Sequence, residues 1–447
     1  MIVTFSVENF RSFHQEQTLS FVASKKLSDT HPKHLVKIPD SDQSALRVGV
    51  VYGANGAGKS NLFKALEHLT QHALRGFSSK KGTAFSPFKL ASDTPESSTF
   101  DLQFITNNKL YRFGLTTTSE KISEEWLIEI RGKKEKVIYE RTTSDSGEVK
   151  VESKNLSGKV KALATVGSKP QRTFLATINS TIQPKDFEPD IGAVIEWFKE
   201  RIDFIGPESK YGSLGLLLHK NKKFQDFASR LLESTSTGVN GLEASRSPIS
   251  EEELRSMLPD EAVTKILENL DEESSSMVAI GGDKELIIEV DKTGKYFSLT
   301  VQSKHHNSEK KEILFSFQEE SDGTQRLLHL IPALYHLQNE GGTYIVDEIE
   351  RSMHPLLIHK LLEFFLDNCS LAEQQLIVTT HEATLLDLDL LRRDEIWFTE
   401  KDKSGSTQLY PLADFRTRQD LRIDKHYLQG RFGAIPYLGN LDRIFAE

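Results

Sequence analysis

Eight residues, Gly53-Ala54-Asn55-Gly56-Ala57-Gly58-Lys59-Ser60, restrict what this chain can fold into more than any other stretch. They match the pattern G-x-x-x-x-G-K-[ST], for which average residue usage gives about 0.02 chance matches in a chain of this length. Val48-Gly49-Val50-Val51-Tyr52 before them reads as a buried strand, and Leu62, Ala65, Leu66 and Leu69 after them recur at helical spacing. Strand, glycine loop and helix form the setting in which such a loop cradles phosphate. Glycines let the backbone turn sharply and approach an anion without a Cβ clash. Successive N–H groups and the helix N-terminus then face the anion. Lys59 offers a point charge to the β- and γ-phosphates, and Ser60 a hydroxyl to Mg2+. Asn55, Gly56, Gly58, Lys59, Ser60 and Asn61 are therefore the expected nucleotide contacts.

Length and charge bound the rest. The chain has 447 residues, room for two or three domains, and its 37% hydrophobic and 27% charged content suits a globular protein with a sizeable core. A formal net charge of −9 argues against a surface coated in non-specific nucleic-acid affinity, although a local basic patch is compatible with it. Cys369 is the one cysteine, so a disulfide framework and a cysteine-built zinc site are excluded within a single chain, and a reducing cytoplasm fits. The opening Met1-Ile2-Val3-Thr4-Phe5-Ser6-Val7-Glu8 lacks the basic-then-apolar order of a signal peptide. No stretch approaches the roughly 18 apolar residues of a membrane span.

Along the chain, Val3, Phe5 and Val7 alternate with polar residues as in a half-buried strand, and a turn over Glu8-Asn9-Phe10-Arg11-Ser12-Phe13 leads into a second strand. By itself Arg11 reads as a surface charge. Residues 100–105, 109–115 and 124–130 and a strand near 137–140 alternate as an antiparallel sheet, with Asn107-Asn108 as a hairpin turn. Residues 76–99 and 142–172 are polar and read as exposed insertions. Basic residues concentrate from Lys133 through Arg172, which reads as a solvated face, with nucleic-acid or partner contact as the sharper alternative. From about 173 to 275 the period becomes helical: Ile191, Val194, Ile195 and Phe198; then Phe224, Phe227, Leu231 and Leu232. Ser250 with Glu253 forms a capping box ahead of Leu254, Leu258, Val263, Ile266, Leu267 and Leu270. No heptads run over three repeats, which excludes a long coiled coil. Strands return at 285–290 and 296–301 around Thr293-Gly294, and at 313–317.

The second half carries more chemistry. Ser321-Asp322-Gly323-Thr324-Gln325-Arg326 precedes an apolar helical pattern, so it caps a helix N-terminus that favours an anion, as a plain N-cap would also do. Tyr344-Ile345-Val346-Asp347-Glu348 is an apolar strand ending in two acids. Asp347 is placed to hold Mg2+ and Glu348 to polarise an attacking water, the alternative being a strand ending in a solvated turn. Glu350-Arg351-Ser352-Met353-His354-Pro355 leads into another helix. Gln375-Leu376-Ile377-Val378-Thr379-Thr380 is a buried strand that ends at His381; a lone histidine there is more often structural, but order and spacing place this one to hydrogen-bond a γ-phosphate.

Together these residues resemble the ABC-type ATPase superfamily, in the branch shared with SMC-like heads and overcoming-lysogenization-type ATPases. The resemblance covers the N-terminal 140 residues and roughly 285–447. It rests on Val7-Glu8-Asn9-Phe10-Arg11-Ser12-Phe13, the Walker A loop, the signature Ser321 to Gln325, Walker B with Asp347 and Glu348, the D-loop around Ser352 to Pro355, and the switch His381. The closing Tyr427-Leu428-Gln429-Gly430-Arg431-Phe432-Gly433-Ala434-Ile435-Pro436 resembles the stand-alone prokaryotic ATPases of defence systems, among them the ATPase component of the PARIS anti-phage system.

The resemblance implies an α/β fold, an ABC-type P-loop head with a mixed sheet, an antiparallel β subdomain and an inserted helical subdomain. The expected division is 1–140, 141–284 and 285–447. ATP and Mg2+ are the implied ligands. Two heads would sandwich two ATP molecules, with Ser321, Gly323 and Gln325 of one protomer on the nucleotide held by Lys59 of the other. Asn9 and Arg11 would reach the nucleotide near its α-phosphate or base. A Q-loop glutamine is not assigned, and the signature opens Ser-Asp where transporters have Ser-Gly-Gly.

The helical insertion is too short for an SMC tether, and about 60 residues after His381 are too few for an ordinary appended nuclease domain. Asp387-Leu388-Asp389 lies in an apolar helical pattern and reads as structural. Two functions remain. One is a cytoplasmic sensor ATPase, a dimer or higher oligomer that responds to a phage-encoded trigger and controls a separate toxin or nuclease. The other is an ATP-dependent DNA clamp, motivated by the basic run 131–172 and disfavoured by the net acidity.

Overall fold

Strand β1 (Val48–Gly53) is buried along its whole length, as a strand must be when both faces of its sheet are covered. The computed structural model describes residues 1–77, 82–92, 95–154, 156–211, 214–261, 263–264, 275–280, 284–290, 293, 295–369, 371, 373–416 and 422–436, with the backbone alone at 275–280, 284–287 and 289–290. After β1 and the glycine loop come α1 (Lys59–Leu74), β2 (Ile202–Ile205), α2 (Asp322–Asn339), β3 (Gly342–Val346), α3 (Pro355–Asn368), β4 (Gln374–Thr380), β5 (Ile396–Lys401) and β6 (Thr407–Pro411). The strands form one sheet in the order β2-β3-β4-β1-β5-β6, parallel except for the β5–β6 edge.

Register decides where chemistry can gather. Val346 lies beside Val378, and Thr380 beside Tyr52. The carboxyl ends of β3, β4 and β1 therefore finish at one edge, where open α/β sheets bind their ligands. Gly53, Asp347 and His381 stand at that edge because each is at, or one residue past, the last position of its strand.

A second, antiparallel sheet has the order Val149–Glu152, Lys134–Thr143, Ile122–Arg131, Lys109–Thr117, Ser98–Thr106, Ile2–Glu8 and Gln17–Ser20. The Asn107-Asn108 turn is as expected: both residues have positive φ, 50° and 56°, which the hairpin's twist requires and asparagine tolerates. The core packs α1, this sheet and the helix Pro189–Glu200 together, with Trp197 stacked on Phe104 at 4.2 Å between ring centroids. The fold class is thus α/β, a P-loop fold with one mixed, mostly parallel sheet and an antiparallel sheet.

Contacts divide the chain into two units. The first is Met1–Pro207, Leu337–Glu350 and His359–Glu447, and contains both sheets described so far. The second is Glu208–His336 with Arg351–Ile358. It holds the helices Leu214–Lys220 and Lys222–Glu233 and a five-stranded antiparallel sheet built around the long strand Tyr296–His306.

The stretch 173–275, expected to be helical, is mixed. Ile202–Ile205 is β2 of the parallel sheet, and Gly241–Pro248 pairs with Tyr296–His306. Neither shows a clear period in sequence, and their partners lie far along the chain. The capping box is present: Glu253 N donates to Ser250 Oγ at 3.2 Å, and Ser250 N to Glu253 Oε2 at 2.7 Å. The helix it starts stops at Met257, because Leu258 precedes Pro259 and is pushed to extended backbone. Ile266, Leu267, Leu270 and Gly294 lie outside the described residues.

Part of the basic run 131–172 is paired with acids within the chain. Arg131 pairs with Glu129, Lys136 with Glu129 and Asp190, Lys150 with Glu152, and Lys159 with Asp186. Arg141 is buried beside Glu125, whose carboxylate accepts from Phe174 N and Leu175 N at the start of the helix Phe174–Thr181. Among the described residues no helix is long and apolar enough to cross a membrane.

Candidate nucleotide site

The glycine loop is tied to two distant segments. Gly58 has φ +114°, and a Cβ there would lie 2.2 Å from Thr407 Oγ1, so no other residue fits. The Thr407 hydroxyl is 2.9 Å from both Ala57 O and Ser12 Oγ, and Asn61 Nδ2 donates to Ser12 Oγ at 2.9 Å. Thr407 N donates to Ser12 O at 2.7 Å. The N-terminal turn, the loop and β6 are thereby held as one piece. Asn61 serves in this anchor, and Asn55 and Gly56 form the loop's exposed crest. No side chain caps the N-terminus of α1, which leaves its first-turn N–H groups to an anion.

Lys59 points back over the loop, donating to Gly53 O at 2.6 Å and Ala54 O at 3.3 Å. Burial pulls its pKa below the usual lysine value, and the carboxylates of Glu350, Asp347 and Glu348 oppose that pull. The Walker B acids therefore act on the Walker A lysine through space.

The tip of β3 is set by one hydroxyl on β4. Thr379 Oγ1 donates to Asp347 Oδ1 at 2.6 Å and accepts from Glu348 N at 2.8 Å. Ile349 N adds a bond to Thr379 O at 3.1 Å. Glu348 has φ +50°, a left-handed backbone that costs an L residue on the order of 1 kcal/mol and persists where neighbours impose it. His381 begins the loop after β4. Its Nδ1 is 2.7 Å from Glu350 Oε1, which also accepts from His381 N at 2.8 Å. The Ser60 hydroxyl and the Asp347 carboxylate are hard oxygen donors of the kind Mg2+ takes, and Asp347 is already oriented by Thr379. The donor set therefore fits that ion.

Two of the expected contacts behave differently. Asn9, expected near the α-phosphate or base, has its side-chain amide engaged with backbone groups. It is fully buried, its Nδ2 donates to Pro95 O and Ser97 O at 2.7 Å each, and its Oδ1 accepts from Phe88 N at 3.1 Å. Its role is to close the turn on Phe88, Pro95 and Ser97. Arg11 is exposed, donates its backbone N–H to Ser86 O at 2.7 Å, and carries its guanidinium 5.6 Å from the Phe10 ring centroid. Asn9→Ala is expected to lower the melting temperature while leaving the ATP affinity of the folded protein unchanged, because it strands three backbone groups and touches no ligand. Calorimetry with nucleotide titration checks this; weakened binding at unchanged stability would return Asn9 to the site.

The signature residues belong to the second unit. Ser321 is the N-cap of α2: its Oγ accepts from Thr324 N at 3.2 Å and lies 2.9 Å from Thr324 Oγ1. Gly323 comes so close to the D-loop that a Cβ would lie 2.5 Å from Ser352 O. Gln325 Nε2 donates to Glu320 O at 2.8 Å, and Glu320 Oε1 is 2.6 Å from His305 Nε2 on the long strand. The signature turn is thus braced by that unit's own sheet.

Sequence reasoning missed Thr379, Thr407 and Glu350 as site residues. Glu350 is two positions past Glu348, and Thr379 two before His381, so position gave a signal that residue type did not.

The chain is similar to three solved head structures. The SMC head domain from Thermotoga maritima is 14% identical, with a TM-score of 0.40 and coverage of 92% of this chain and 98% of that one. An Smc head bound to the C-winged helix domain of ScpA is 12% identical, with a TM-score of 0.42 and coverage of 92% and 97%. An Smc head with an extended coiled coil, bound to the C-terminal domain of ScpA derived from Pyrococcus furiosus, is 11% identical, with a TM-score of 0.42 and coverage of 92% and 96%. No curated protein matches the chain. A family model described as "AAA domain, putative AbiEii toxin, Type IV TA system" matches residues 49–387, a span that runs from β1 and its phosphate loop past Walker B and His381. With more than half its length matched, the chain belongs to that family and is a P-loop ATPase of the AAA type.

Proposed function

We propose that two copies of this chain pair around ATP, and that the pairing regulates a separate effector, a toxin or nuclease, in anti-phage defence. The observation that carries the reading is the gathering of Lys59, Asp347, Glu348 and His381 at one sheet edge of the first unit. Lys59 and the N–H groups of the loop and α1 bind the phosphates. Glu348 takes a proton from the attacking water as its oxygen bonds to the γ-phosphorus and the bond to the β,γ-bridging oxygen breaks. His381 donates a hydrogen bond to the γ-phosphate. Ser60 and Asp347 are the residues that would hold Mg2+, which when bound neutralises charge on the phosphates. Ser321 and Gly323 present the N-terminus of α2, an anion-favouring end, to the nucleotide of the other copy.

The family description, a putative toxin of a toxin–antitoxin system, supports a defence role. In that reading the chain is comparable to the ATPase component of the PARIS system, and a phage-encoded protein is the trigger. The DNA-clamp alternative draws little support from the run 131–172, since Arg131, Lys136, Arg141, Lys150 and Lys159 already have acidic partners.

Sedimentation tests both. ATP with Mg2+ is expected to convert monomer to dimer, and Lys59→Ala to abolish the conversion together with nucleotide binding. A mass that does not respond to ATP overturns the pairing. Added duplex DNA should not co-sediment at moderate salt; ATP-dependent binding that falls steeply with salt favours the clamp.

A further inference from the structure

Glu350 is a buried carboxylate without an obvious stability role. Its side chain is 8% exposed, and its Oε2 is buried with no hydrogen-bond partner among the described residues. Burying a half-satisfied carboxylate costs free energy that a purely structural residue would not need to spend. Its other oxygen makes two bonds, both to His381: the backbone N–H at 2.8 Å and ring Nδ1 at 2.7 Å. The His381 ring is otherwise open, with its side chain 53% exposed.

An ionised carboxylate only accepts, so the proton between the two groups sits on Nδ1. That fixes the tautomer and the ring plane, and leaves Nε2, across the ring, as the free end. Nε2 can carry a second proton. Only with that proton can Nε2 donate to a phosphate oxygen. The same carboxylate is one of the three acids whose charge acts on Lys59.

From this geometry we infer that Glu350 is the positioning residue of His381: it holds the ring so that His381 engages the γ-phosphate. The inference rests on the reading of His381 as a γ-phosphate contact. Glu348, two residues earlier on the same strand tip, keeps the separate role of base, because its backbone is turned by Thr379 and not by His381.

The test is a double-mutant cycle in the full-length protein, reading kcat, KM, nucleotide affinity and melting temperature. Glu350→Gln keeps an acceptor for Nδ1–H and removes the charge. It is expected to lower kcat about 10- to 100-fold, the usual loss when a histidine's carboxylate partner is removed, with nucleotide affinity nearly unchanged. In a His381→Ala background the same substitution should cost nothing further, since residues acting through one another are not additive. Glu350→Asp, which keeps charge on a shorter arm, should fall between Gln and the parent, and carries the comparison if Glu350→Gln lowers stability. If His381→Ala turns over at the parental rate, the reading of His381 fails and the inference with it. If His381→Ala is slow but Glu350→Gln is at full rate, or its loss persists undiminished in the His381→Ala background, the inference alone is overturned.

Discussion

Glu348→Gln is expected to bind ATP as the parent does, to lose turnover by at least about 10²-fold, and to remain a dimer for as long as ATP is present. The exchange is nearly isosteric, so the loss isolates proton acceptance. The side chain starts from a backbone in the left-handed region, clamped by Thr379 Oγ1 on its N–H and by the Ile349 bond to Thr379 O. That clamp does not depend on the carboxylate, so the variant keeps the shape of the strand tip. Lys59 loses one of three acids that sustain its charge, which weakens phosphate binding little, since Glu350 and Asp347 remain. Phosphate release and light scattering on the same sample check both halves. Turnover at the parental rate would remove Glu348 as base; loss of ATP binding would make it a ligand-holding residue instead.

Local chemistry was legible in the sequence, and long-range pairing was not. The phosphate loop reads directly because bending backbone around an anion leaves few residue choices, and Gly58 meets Thr407 so closely that none remains. Asn107-Asn108 and the Ser250–Glu253 box read directly for the same reason, each being a backbone requirement met within four residues. The motif of Asn9 adjoins the loop through Ser12, which contacts Asn61 and Thr407, while Asn9 itself turns inward. Glu350 and His381 are 31 residues apart, and only the parallel β3–β4 register brings them together. The partners of Arg131, Lys136, Arg141 and Lys159 were not legible because Glu125, Glu129, Asp186 and Asp190 lie outside the run 131–172 and reach it through sheet pairing and helix packing. Ile202–Ile205 has too few residues for a period, and is a strand because β3 offers it an edge.

Ser321→Arg should bind ATP and fail to hydrolyse it, yet recover activity when mixed with a second inactive variant, Lys59→Ala. The reason is the symmetry of the proposed pair, in which each nucleotide would lie between the loop of one copy and the signature of the other. A mixed dimer has one site built from two damaged halves and one built from two intact halves: Lys59 of the Ser321→Arg copy and Ser321 of the Lys59→Ala copy. Random mixing at equal amounts makes half of all dimers mixed, so about a quarter of parental activity returns if the two sites work independently. The arginine also removes a helix cap, since Ser321 Oγ accepts from Thr324 N, and a lost cap costs about 1 kcal/mol. Ser321→Ala measures that cost separately, because it removes the cap without filling the site. If Ser321 acts on the nucleotide of its own chain, each variant has an incomplete site in every pairing, and mixing restores nothing. Rescue and its absence thus separate a nucleotide held between two chains from one held within a single chain, which folding defects in either variant alone could not imitate.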